Sequence, residues 1–415
     1  MLNRWFFSKF KEVISKPYVH ILFGARQTGK STLINALLPK ESLRVNFADP
    51  AQRNRHISRP AELAEMCRAL PQSPGPHYIF IDEAQLVPSV FDTVQYLYDE
   101  DKLRWRFVLC GSSARRLRLS GTNLLPGRSI MHRLFPLITI EQPPILAQPN
   151  VQINQVLPLQ IGEDEIFTGN FEAWDLENRL AFGSLPGIVT AEPKIRGDIL
   201  KTYAIVYLEE EIRREAYVKD WAAFLRFVQF AAAESGKMMN FASVSNHTGV
   251  SLPTVKSYYQ LLEDMFVGFT VSAFTRSARK NILSTPRFFM FDTGVRHAAA
   301  GLAPSIDTVR ADPDPIFEQW VGIELWKRLQ YLENGRLYYQ KTKAGAEVDF
   351  IIEQGKTLIP IEVKWTENPT LADARHLLSF IEEHGNDSPM GYIICRCPNP
   401  LMLHEKIKAI PWFCL

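Results

Sequence analysis

The chain has 415 residues, of which 46% are hydrophobic, and a formal net charge of +2 at pH 7. This length corresponds to two to four domains of about 100–200 residues each, and the hydrophobic content suffices for packed cores. The balanced charge excludes a strongly basic or acidic protein, so a nucleic-acid partner would have to be met by a local patch. Five scattered cysteines without a Cys-x-x-Cys pair argue against a disulfide framework or a structural zinc site.

The chain carries no signal for export or membrane insertion. Its N-terminus lacks the sustained apolar core and the cleavage site of a signal peptide. The longest uncharged stretch, Gln142 to Gly162, contains four prolines and many Gln and Asn residues, whereas a membrane span needs about twenty apolar residues. That stretch is typical of a linker or an edge hairpin. We therefore expect a cytoplasmic protein without a membrane partner.

Residues 19–32 carry the pattern of a phosphate-binding loop. The apolar run 19–23 predicts a buried strand, and Gly-Ala-Arg-Gln-Thr-Gly-Lys-Ser-Thr follows it, which satisfies G-x-x-x-x-G-K-[ST]. A helix is expected over Thr32–Leu38, and its N-terminus would favour an anion. Lys30 would reach the β and γ phosphate oxygens, and the Ser31 hydroxyl would ligate Mg²⁺. The residues expected to bind ATP are Gly24, Ala25, Arg26, Gln27, Thr28, Gly29, Lys30, Ser31 and Thr32.

A second apolar run, Tyr78 to Ile81, ends in two acidic residues. Asp82 would hold Mg²⁺ through water, and Glu83 would orient or deprotonate the water that attacks the γ-phosphate. Taken alone, this stretch would be read as a buried strand that ends in two helix-capping carboxylates. Its position after a phosphate-binding loop favours the catalytic interpretation.

Two further candidates follow. The apolar run 106–110 ends in Gly-Ser-Ser, where Ser112 could sense the γ-phosphate from the end of a strand. Downstream, Arg128 could act as an arginine finger in the site of a neighbouring subunit and neutralise charge that develops during phosphoryl transfer. The alternative for Arg128 is a solvated arginine in a loop.

Beyond residue 162 the pattern becomes helical, with helices expected over 165–181 and 195–216.

Residues 241–274 match a helix-turn-helix with a following wing. The first helix is expected over 241–248, a glycine turn follows at Gly249, and the second helix extends over 252–265. Strands over 266–274 would form the wing. Contact with DNA and a packing role both remain open, because the second helix has a single lysine and acidic residues close by. The candidate DNA contacts are Thr254, Lys256, Ser257 and Tyr258.

The C-terminal third contains another group of chemically active residues. Strands are expected over 347–352 and 358–364, joined by a turn, so that Asp349 would lie beside Glu362 and Lys364, which share one strand face. Two carboxylates could ligate Mg²⁺ while the lysine positions a water near a phosphodiester. Glu318, on a helix over 316–325, could add a ligand. The alternative is an exposed hairpin with an ordinary lysine–carboxylate pair.

The order of a helical glutamate, a strand aspartate and Glu-x-Lys resembles the core of PD-(D/E)XK nucleases, although the Pro-Asp dipeptide is missing. Most of the chain resembles the prokaryotic AAA+ ATPases that join an N-terminal ATPase domain to a C-terminal domain of unknown function with a nuclease-like fold. The segments that carry this resemblance are 24–32, 81–85, 111–113, 291–294, 347–350 and 361–364.

This resemblance implies an α/β fold with four domains: a doubly wound parallel-sheet AAA+ core over 1–160, a helical lid over 161–220, a winged helix over 221–295 and a mixed α/β restriction-endonuclease-like domain over 296–415. It also implies ATP and Mg²⁺ as cofactors, assembly into a ring or filament with a hexamer as the expected form, and Arg128 at the position of the finger. DNA is the candidate partner. The alternative is an assembly or protein-remodelling ATPase with an inactive nuclease-like scaffold.

Overall fold

A computed structural model describes residues 4–113, 125–145, 170–207, 210, 218, 220–275, 285–342 and 345–415 of the protein. These residues form two compact units. The first unit contains the described residues up to Pro136 together with Asp264–Phe266, and the second contains the described residues within Leu137–Glu263 and Val267–Leu415. Among the helices of the described residues, none is long and apolar enough to cross a membrane.

The first unit contains a five-stranded parallel sheet with the strand order β2-β3-β4-β1-β5. Its strands are β1 (Val19–Phe23), β2 (Leu43–Asn46), β3 (His77–Asp82), β4 (Trp105–Gly111) and β5 (Ser129–Arg133). Its helices are α1 (Phe6–Ile14), α2 (Lys30–Leu37), α3 (Pro50–Ser58), α4 (Glu62–Arg68) and α5 (Val90–Glu100), with a 3-10 turn at Ala84–Leu86.

Helices cover both faces of this sheet, which explains why its central strands are almost continuously apolar. Ile21 and Phe23 of β1 belong to a core that also contains buried residues of α4 and α5. His20 points to the opposite face, because side chains alternate along a strand. There its ring meets Phe10 of α1, with 6.3 Å between the ring centroids.

The carboxyl ends of β1, β3 and β4 lie at one edge of the sheet. Phe23, the last residue of β1, pairs with Gly111, the last residue of β4. The glycine loop after β1 therefore leaves the sheet beside Ser112. Strand β3 neighbours β4 and ends at Asp82, so its acidic pair reaches the same edge. Parallel α/β sheets bind ligands in the crevice outside these strand ends.

The second unit contains an eight-stranded mixed sheet with the order β12-β13-β11-β10-β9-β8-β6-β7. Strands β9 and β10 form an antiparallel hairpin in which Ile361 pairs with Phe350. Its strands are β6 (Gly268–Ala273), β7 (Arg287–Met290), β8 (Arg336–Lys341), β9 (Glu347–Gln354), β10 (Thr357–Val363), β11 (Gly391–Cys395), β12 (Leu401–His404) and β13 (Ile407–Pro411).

A twenty-residue helix supplies many residues to the core of the second unit, including Phe317, Val321 and Leu325. The helices are α6 (Leu176–Phe182), α7 (Pro186–Val189), α8 (Arg196–Thr202), α9 (Trp221–Ala233), α10 (Phe241–Thr248), α11 (Leu252–Asp264), α12 (Thr293–Ala299), α13 (Ile306–Ala311), α14 (Pro313–Leu332) and α15 (Arg375–His384). Single helical turns of other types lie at Tyr203–Tyr207, Pro193–Ile195, Leu371–Ala374, Gly385–Asp387 and Trp412–Cys414.

Two expected helices differ from the structure. Within 165–181, residues 170–175 are not helical: Trp174 bridges Pro144, and the Asp175 side chain caps a helix that begins only at Leu176. The helix expected over 195–216 changes after Thr202 into a π-helical turn that ends at Tyr207, and most of its remainder lies outside the described residues. Most of the predicted linker lies outside them as well.

The expected helix pair over 241–265 is present as α10 and α11. However, β6 joins the same sheet as the C-terminal strands, since Ser272 pairs with Tyr338 of β8. Strands β6 and β7 precede the predicted boundary at residue 295 and β8 to β13 follow it, yet all eight strands belong to one sheet. The four domain ranges stay predictions.

Candidate functional site

The backbone of the loop after β1 has positive φ angles and a close approach that favour glycine. Gly29 has φ +91°, and Gln27 also has a positive φ. A Cβ atom on Gly24 would lie 2.2 Å from the carbonyl oxygen of Leu134, so a larger residue could not fit there. Glycines thus allow the loop to close tightly against the segment that follows β5. The loop residues 24–32 occupy consecutive positions from the end of β1 into α2.

Lys30 is held inside this loop. Its Nζ donates to the carbonyl oxygens of Gly24 at 2.8 Å and Ala25 at 2.9 Å, and its side chain is buried. Thr28 adds a hydrogen bond from Oγ1 to the Ala25 carbonyl at 2.9 Å. An ammonium has three donors, so Lys30 can exchange these carbonyls for phosphate oxygens when an anion enters the loop.

The two predicted Mg²⁺ ligands of the first unit lie together. Burial raises the pKa of the Asp82 carboxyl, and a hydrogen bond from the Ser31 hydroxyl acts in the opposite direction. The Asp82 Oδ1 atom also accepts from the backbone N–H of Glu83 at 3.0 Å. A hydroxyl and a carboxylate in contact provide two oxygen ligands of the kind that a hard cation prefers.

Glu83 is connected to Ser112 through a residue that the sequence analysis did not single out. Gln85 Nε2 donates to Glu83 Oε2 at 2.5 Å and to Ser112 Oγ at 3.0 Å. Ser112 Oγ also approaches the same carboxylate oxygen at 3.4 Å. Gln85 is buried, and Oε1 of its amide lacks a hydrogen-bond donor among the described residues. Arg26 Nε lies 4.0 Å from Glu83 Oε1.

Arg128 does not reach this edge of the sheet in its own chain. Its carbonyl accepts from the N–H of Val19 at the start of β1, so Arg128 lies at the amino ends of the strands. A five-residue strand separates the two edges by about 16 Å. The Arg128 guanidinium pairs with Asp99 at 2.6 Å, and this contact raises its pKa. A role as a finger therefore requires a second subunit and stays a prediction.

The second unit brings Asp349, Glu362 and Lys364 together, as the hairpin predicts. Asp349 Oδ2 accepts from the backbone N–H of Val363 at 2.8 Å, and Lys364 Nζ donates to Glu362 Oε2 at 2.9 Å. Burial, followed by the charge of Asp349, raises the pKa of Glu362 to about 8. Burial acts to lower the pKa of Lys364, but the neighbouring carboxylates outweigh it and raise the value.

Glu318 lies close to this group but is held by an arginine that the sequence analysis missed. Arg287 of β7 donates to Glu318 Oε1 at 2.7 Å and pairs with Glu347. Burial and the charge of Asp349 raise the pKa of Glu318 to about 7. Arg287 is separated by 31 residues from Glu318, so a scan for short motifs could not have connected them.

The fit of this group to a metal ion is partial. Oε1 of Glu362 is buried without a hydrogen-bond donor among the described residues, as expected for an oxygen that could accept a cation. Burial also raises the pKa of the neighbouring Asp349 carboxyl, whereas the charge of Lys364 and the hydrogen bond from the Val363 N–H act in the opposite direction. The Glu318 carboxylate instead accepts a hydrogen bond from Arg287. In the described parts of the chain, no group of three or more His, Cys, Asp or Glu side chains is arranged to hold a metal.

The predicted DNA contacts on α11 fall into two classes. Lys256 and Ser257 are exposed, and the Lys256 ammonium lies 5.4 Å from the centre of the Phe241 ring. Thr254 is half-buried and bonded to Ser251. Tyr258 is buried, and its ring packs edge-on against Phe224 with 4.7 Å between centroids. Tyr258 is therefore a core residue, which corrects its assignment as a candidate contact.

Comparisons with known proteins divide the chain into three matched regions. Residues 16–142 match an AAA domain, and this match, together with the parallel sheet, indicates a P-loop ATPase-type domain at the N-terminus. Residues 173–305 match a domain of unknown function (DUF8612), and residues 314–415 match a second domain of unknown function (DUF4143).

Relatives with similar overall sequence are uncharacterized proteins. Those of Mycobacterium bovis and Mycobacterium tuberculosis are each 24% identical over 369 residues, covering 88% of this chain and 74% of the relative. A protein of Haemophilus influenzae is 22% identical over 364 residues, covering 83% of this chain and 82% of the relative. A solved Vibrio cholerae protein, 10% identical and covering 94% of both chains, matches with a TM-score of 0.20, too low to indicate a shared fold.

Proposed function

We propose that this protein is an oligomeric Mg²⁺-dependent ATPase whose hydrolysis cycle drives a DNA-directed module in its C-terminal half. The observation that carries the ATPase proposal is the meeting of Lys30, Asp82, Glu83 and Ser112 at the carboxyl edge of one parallel sheet. These residues lie up to 82 positions apart in the sequence. Phosphoryl transfer needs such a group, because its catalysis depends mainly on positioning and on charge stabilisation.

In this proposal the loop 24–29 binds the phosphates of ATP through its backbone N–H groups. Lys30 turns from the carbonyl oxygens of Gly24 and Ala25 to the β and γ phosphates, so its positive charge is retained within the same loop. Ser31 and Asp82 would hold Mg²⁺, which supplies Lewis acidity at the phosphate oxygens when bound. The match to an AAA domain over residues 16–142 supports this assignment.

Glu83 orients the attacking water and accepts its proton. The carboxylate is placed for this role by the hydrogen bond from Gln85, which also contacts Ser112. Ser112 would then sense the γ-phosphate and transmit its presence to Glu83 through the same amide. Hydrolysis breaks the bond between the β,γ-bridging oxygen and the γ-phosphorus and releases ADP and inorganic phosphate.

ATP turnover tests this assignment. Purified protein with Mg²⁺ should hydrolyse ATP, Lys30→Ala should abolish binding of a fluorescent ATP analogue, and Glu83→Gln should bind it but turn over at least about a hundredfold more slowly. Glu41→Gln, which alters an exposed carboxylate of the same unit by the same change, controls for loss of a surface charge. Hydrolysis at the normal rate by Glu83→Gln would remove Glu83 from its role.

For the C-terminal half we propose a DNA-directed module with metal-dependent cleavage. Asp349 and Glu362 would hold Mg²⁺, and Lys364 would position a water at a phosphodiester. The buried Oε1 of Glu362, which has no hydrogen-bond donor among the described residues, supports this proposal. The raised pKa of Glu362 keeps its carboxyl protonated at neutral pH, and a bound cation would replace that proton. Of the four predicted contacts on α11, Lys256 and Ser257 are exposed and therefore available to a phosphate.

A second candidate function has its own support. Arg287 and Lys364 already neutralise Glu318 and Glu362, which is the arrangement expected of a scaffold that has replaced a metal ion with internal cations. Under this alternative the protein is an assembly or protein-remodelling ATPase, and the nuclease-like hairpin binds a partner or another subunit.

DNA binding across a salt series and a cleavage assay separate the two candidates. Affinity for DNA that falls steeply with salt would support phosphate contacts. Cleavage that is lost in Asp349→Ala and Glu362→Ala, while ATP turnover remains, would support the nuclease reading. Cleavage that persists in both variants would indicate a contaminant. Absence of binding and of cleavage in the wild type would favour the scaffold.

A further inference from the structure

Arg4 lies outside the phosphate-binding motif yet contacts its backbone. Its side chain is buried, with 6% of its surface exposed. Nη1 donates to the carbonyl oxygen of Thr28 at 2.6 Å, and Nη2 donates to the carbonyl oxygen of Phe135 at 2.7 Å. Thr28 belongs to the loop, and Phe135 belongs to the segment that follows β5. One guanidinium therefore ties the loop to its neighbouring segment.

The contact at Thr28 also determines which way the next N–H points. A trans peptide is planar, so the carbonyl of Thr28 and the N–H of Gly29 point in opposite directions. Because Arg4 holds the carbonyl on its own side, the Gly29 N–H is directed away from Arg4. The N–H groups of such loops are the donors that surround a phosphate. Rotation of this peptide would turn a carbonyl oxygen, which repels an anion, to that position.

The segment after β5 supports the loop at both ends. Gly24 lies so close to the Leu134 carbonyl that a Cβ atom would be 2.2 Å away, and Arg4 bridges Thr28 to the adjacent Phe135. The guanidinium also places a positive charge beside the loop, because a Cβ atom added to Gly29 would lie 3.6 Å from Nη1. Hydrogen bonds from a charged donor are about twice as strong as neutral ones, so this contact can resist rotation of the peptide.

We infer that Arg4 is a positioning residue for nucleotide: it holds the Thr28–Gly29 peptide in the orientation that presents an N–H group to a phosphate. This inference rests on the proposed nucleotide-binding role of the loop. Arg4 does not itself touch the substrate in this account. Its effect should appear in the affinity for nucleotide rather than in the chemical step.

The test uses the full chain and compares wild type, Arg4→Met, Arg4→Lys and Arg106→Met. Arg106 is a matched control, because it is also a buried arginine of the first unit and its guanidinium also donates to backbone carbonyls, those of Ser15 and Lys102 among them. Dissociation constants for a fluorescent ADP analogue with Mg²⁺ are measured by titration, and folding is followed by circular dichroism and thermal unfolding.

We expect Arg4→Met to raise the dissociation constant about tenfold or more, a loss of about 1.4 kcal/mol of binding free energy. Arg4→Lys should recover part of the affinity, because an ammonium can satisfy one of the two carbonyls. Arg106→Met should lower the melting temperature but bind within about twofold of wild type. KM for ATP should rise in Arg4→Met while kcat at saturation changes little.

Wild-type affinity in a folded Arg4→Met protein would overturn the inference and leave the proposed function intact. Equal losses in Arg4→Met and Arg106→Met would also overturn it, because the effect would then reflect general destabilisation. If Arg4→Met does not fold, the outcome is decided by Arg4→Lys: wild-type affinity there would contradict a requirement for the bidentate contact. Absence of nucleotide binding by the wild type would overturn the proposed function itself, and the inference with it.

Discussion

At the scale of single residues, the candidate ATP site depends on an amide that carries no catalytic chemistry of its own. Gln85 is buried and donates to both Glu83 and Ser112. Glu83 itself has a left-handed backbone conformation with φ +52°. Such conformations cost about 1–3 kcal/mol and are held by the surrounding contacts. The Gln85 amide is one of these contacts.

We predict that Gln85→Leu, which preserves side-chain bulk but removes both hydrogen bonds, lowers kcat about tenfold. The reason is that the Glu83 carboxylate would no longer be held in one place, and misplaced catalytic groups lose rate steeply. Affinity for ATP should remain within about twofold, because Gln85 lies outside the loop. Steady-state ATPase assays with a separate nucleotide titration measure the two effects. Normal kcat in this variant would show that Gln85 has no role in positioning Glu83.

Short spacing in the sequence predicts several of the residues that lie together in the structure, but not all of them. The loop, the acidic pair and the Glu-x-Lys hairpin are local patterns, so their residues were found together. Arg4 and Arg287 act on residues 24 and 31 positions away, and a lone arginine gives no signal of such a partner. The sequence predicts α11 but not which of its faces is buried, so Tyr258, a predicted DNA contact, packs against Phe224 instead.

At the scale of elements, the structure explains the Asp292-Thr293-Gly294 segment. Asp292 caps α12 by accepting from the Val295 N–H, and its other oxygen accepts from the Ser184 N–H at 2.7 Å. Burial raises the pKa of this carboxyl. Gly294 has no room for a Cβ atom, which would lie 2.3 Å from the carbonyl oxygen of Phe182. The segment therefore joins the end of α6 to the start of α12.

We predict that Gly183→Ala destabilises this junction by about 3 kcal/mol, because the added Cβ would lie 2.0 Å from Asp292 Oδ1. Gly385→Ala is the matched control. Gly385 has a similar backbone conformation, with φ 56° and ψ −126° against φ 72° and ψ −154° at Gly183, but no described heavy atom lies within 4 Å of its Cβ position.

Hydrogen exchange followed by mass spectrometry provides the measurement. Amides of α6 and α12 should exchange faster in Gly183→Ala than in wild type, whereas Gly385→Ala should leave their rates nearly unchanged. Equal exchange in the two variants would mean that the backbone conformation, rather than contact with Asp292, sets the cost.

A pair of histidines makes the packing of α1, β1 and β5 sensitive to acid. Nδ1 of His20 and Nε2 of His132 lie 3.2 Å apart in a buried contact. Burial lowers the pKa of His20 to about 4 and that of His132 to about 3. Both rings are therefore neutral in the folded state at pH 5–7, while an unfolded histidine takes up a proton near pH 6.5.

Because the folded pKa values are lowered, the stability contributed by this pair is present above about pH 6.5 and is lost as the pH falls toward 4. We predict that wild type loses more unfolding free energy between pH 7 and 5 than His132→Gln, by up to about 1.4 kcal/mol per pH unit for the removed histidine. Chemical unfolding at several pH values measures the slope. His247→Gln, at an exposed position, is the control, and equal slopes for wild type and His132→Gln would contradict the prediction.

At the scale of the whole molecule, the position of Arg128 makes assembly the central question. Arg128 and the loop after β1 lie at opposite edges of the same sheet, so one chain cannot supply both to one site. In the proposed ring or filament, Arg128 of one subunit would leave Asp99 and enter the site of the next. Phosphoryl transfer gains about 10³–10⁵ in rate from such an arginine.

Mixing two inactive variants tests this arrangement. Lys30→Ala retains Arg128 but cannot bind ATP, and Arg128→Ala binds ATP but lacks the finger. We predict that each is nearly inactive alone and that a mixture regains about a quarter of wild-type turnover, because some neighbouring pairs then combine an intact loop with an intact arginine. Light scattering establishes the oligomeric state of each sample. Normal turnover by Arg128→Ala alone would remove the arginine from catalysis.

The sequence by itself determined the local elements that carry chemistry. The strand at 19–23, the helix at 241–248 and the hairpin of β9 and β10 follow from apolar periodicity and from glycine positions, which act over a few residues. The phosphate-binding pattern is equally local, because its spacing is imposed by the size of a phosphate group. Ser31 and Asp82 lie together, as the sequence predicts, because the carboxyl ends of β1 and β3 share one edge of a parallel sheet, with β4 between them.

Only the tertiary structure decided which distant groups meet. Residues 170–175 are not helical, because Trp174 bridges Pro144 and Asp175 caps a helix that begins at Leu176, contacts that a helical pattern does not reveal. Strand β6 joins the C-terminal sheet through Ser272 and Tyr338, although the sequence assigns it to another domain. The physical reason is that propensity and spacing act along the chain, whereas burial, pairing of buried charges and strand order depend on residues far apart in sequence.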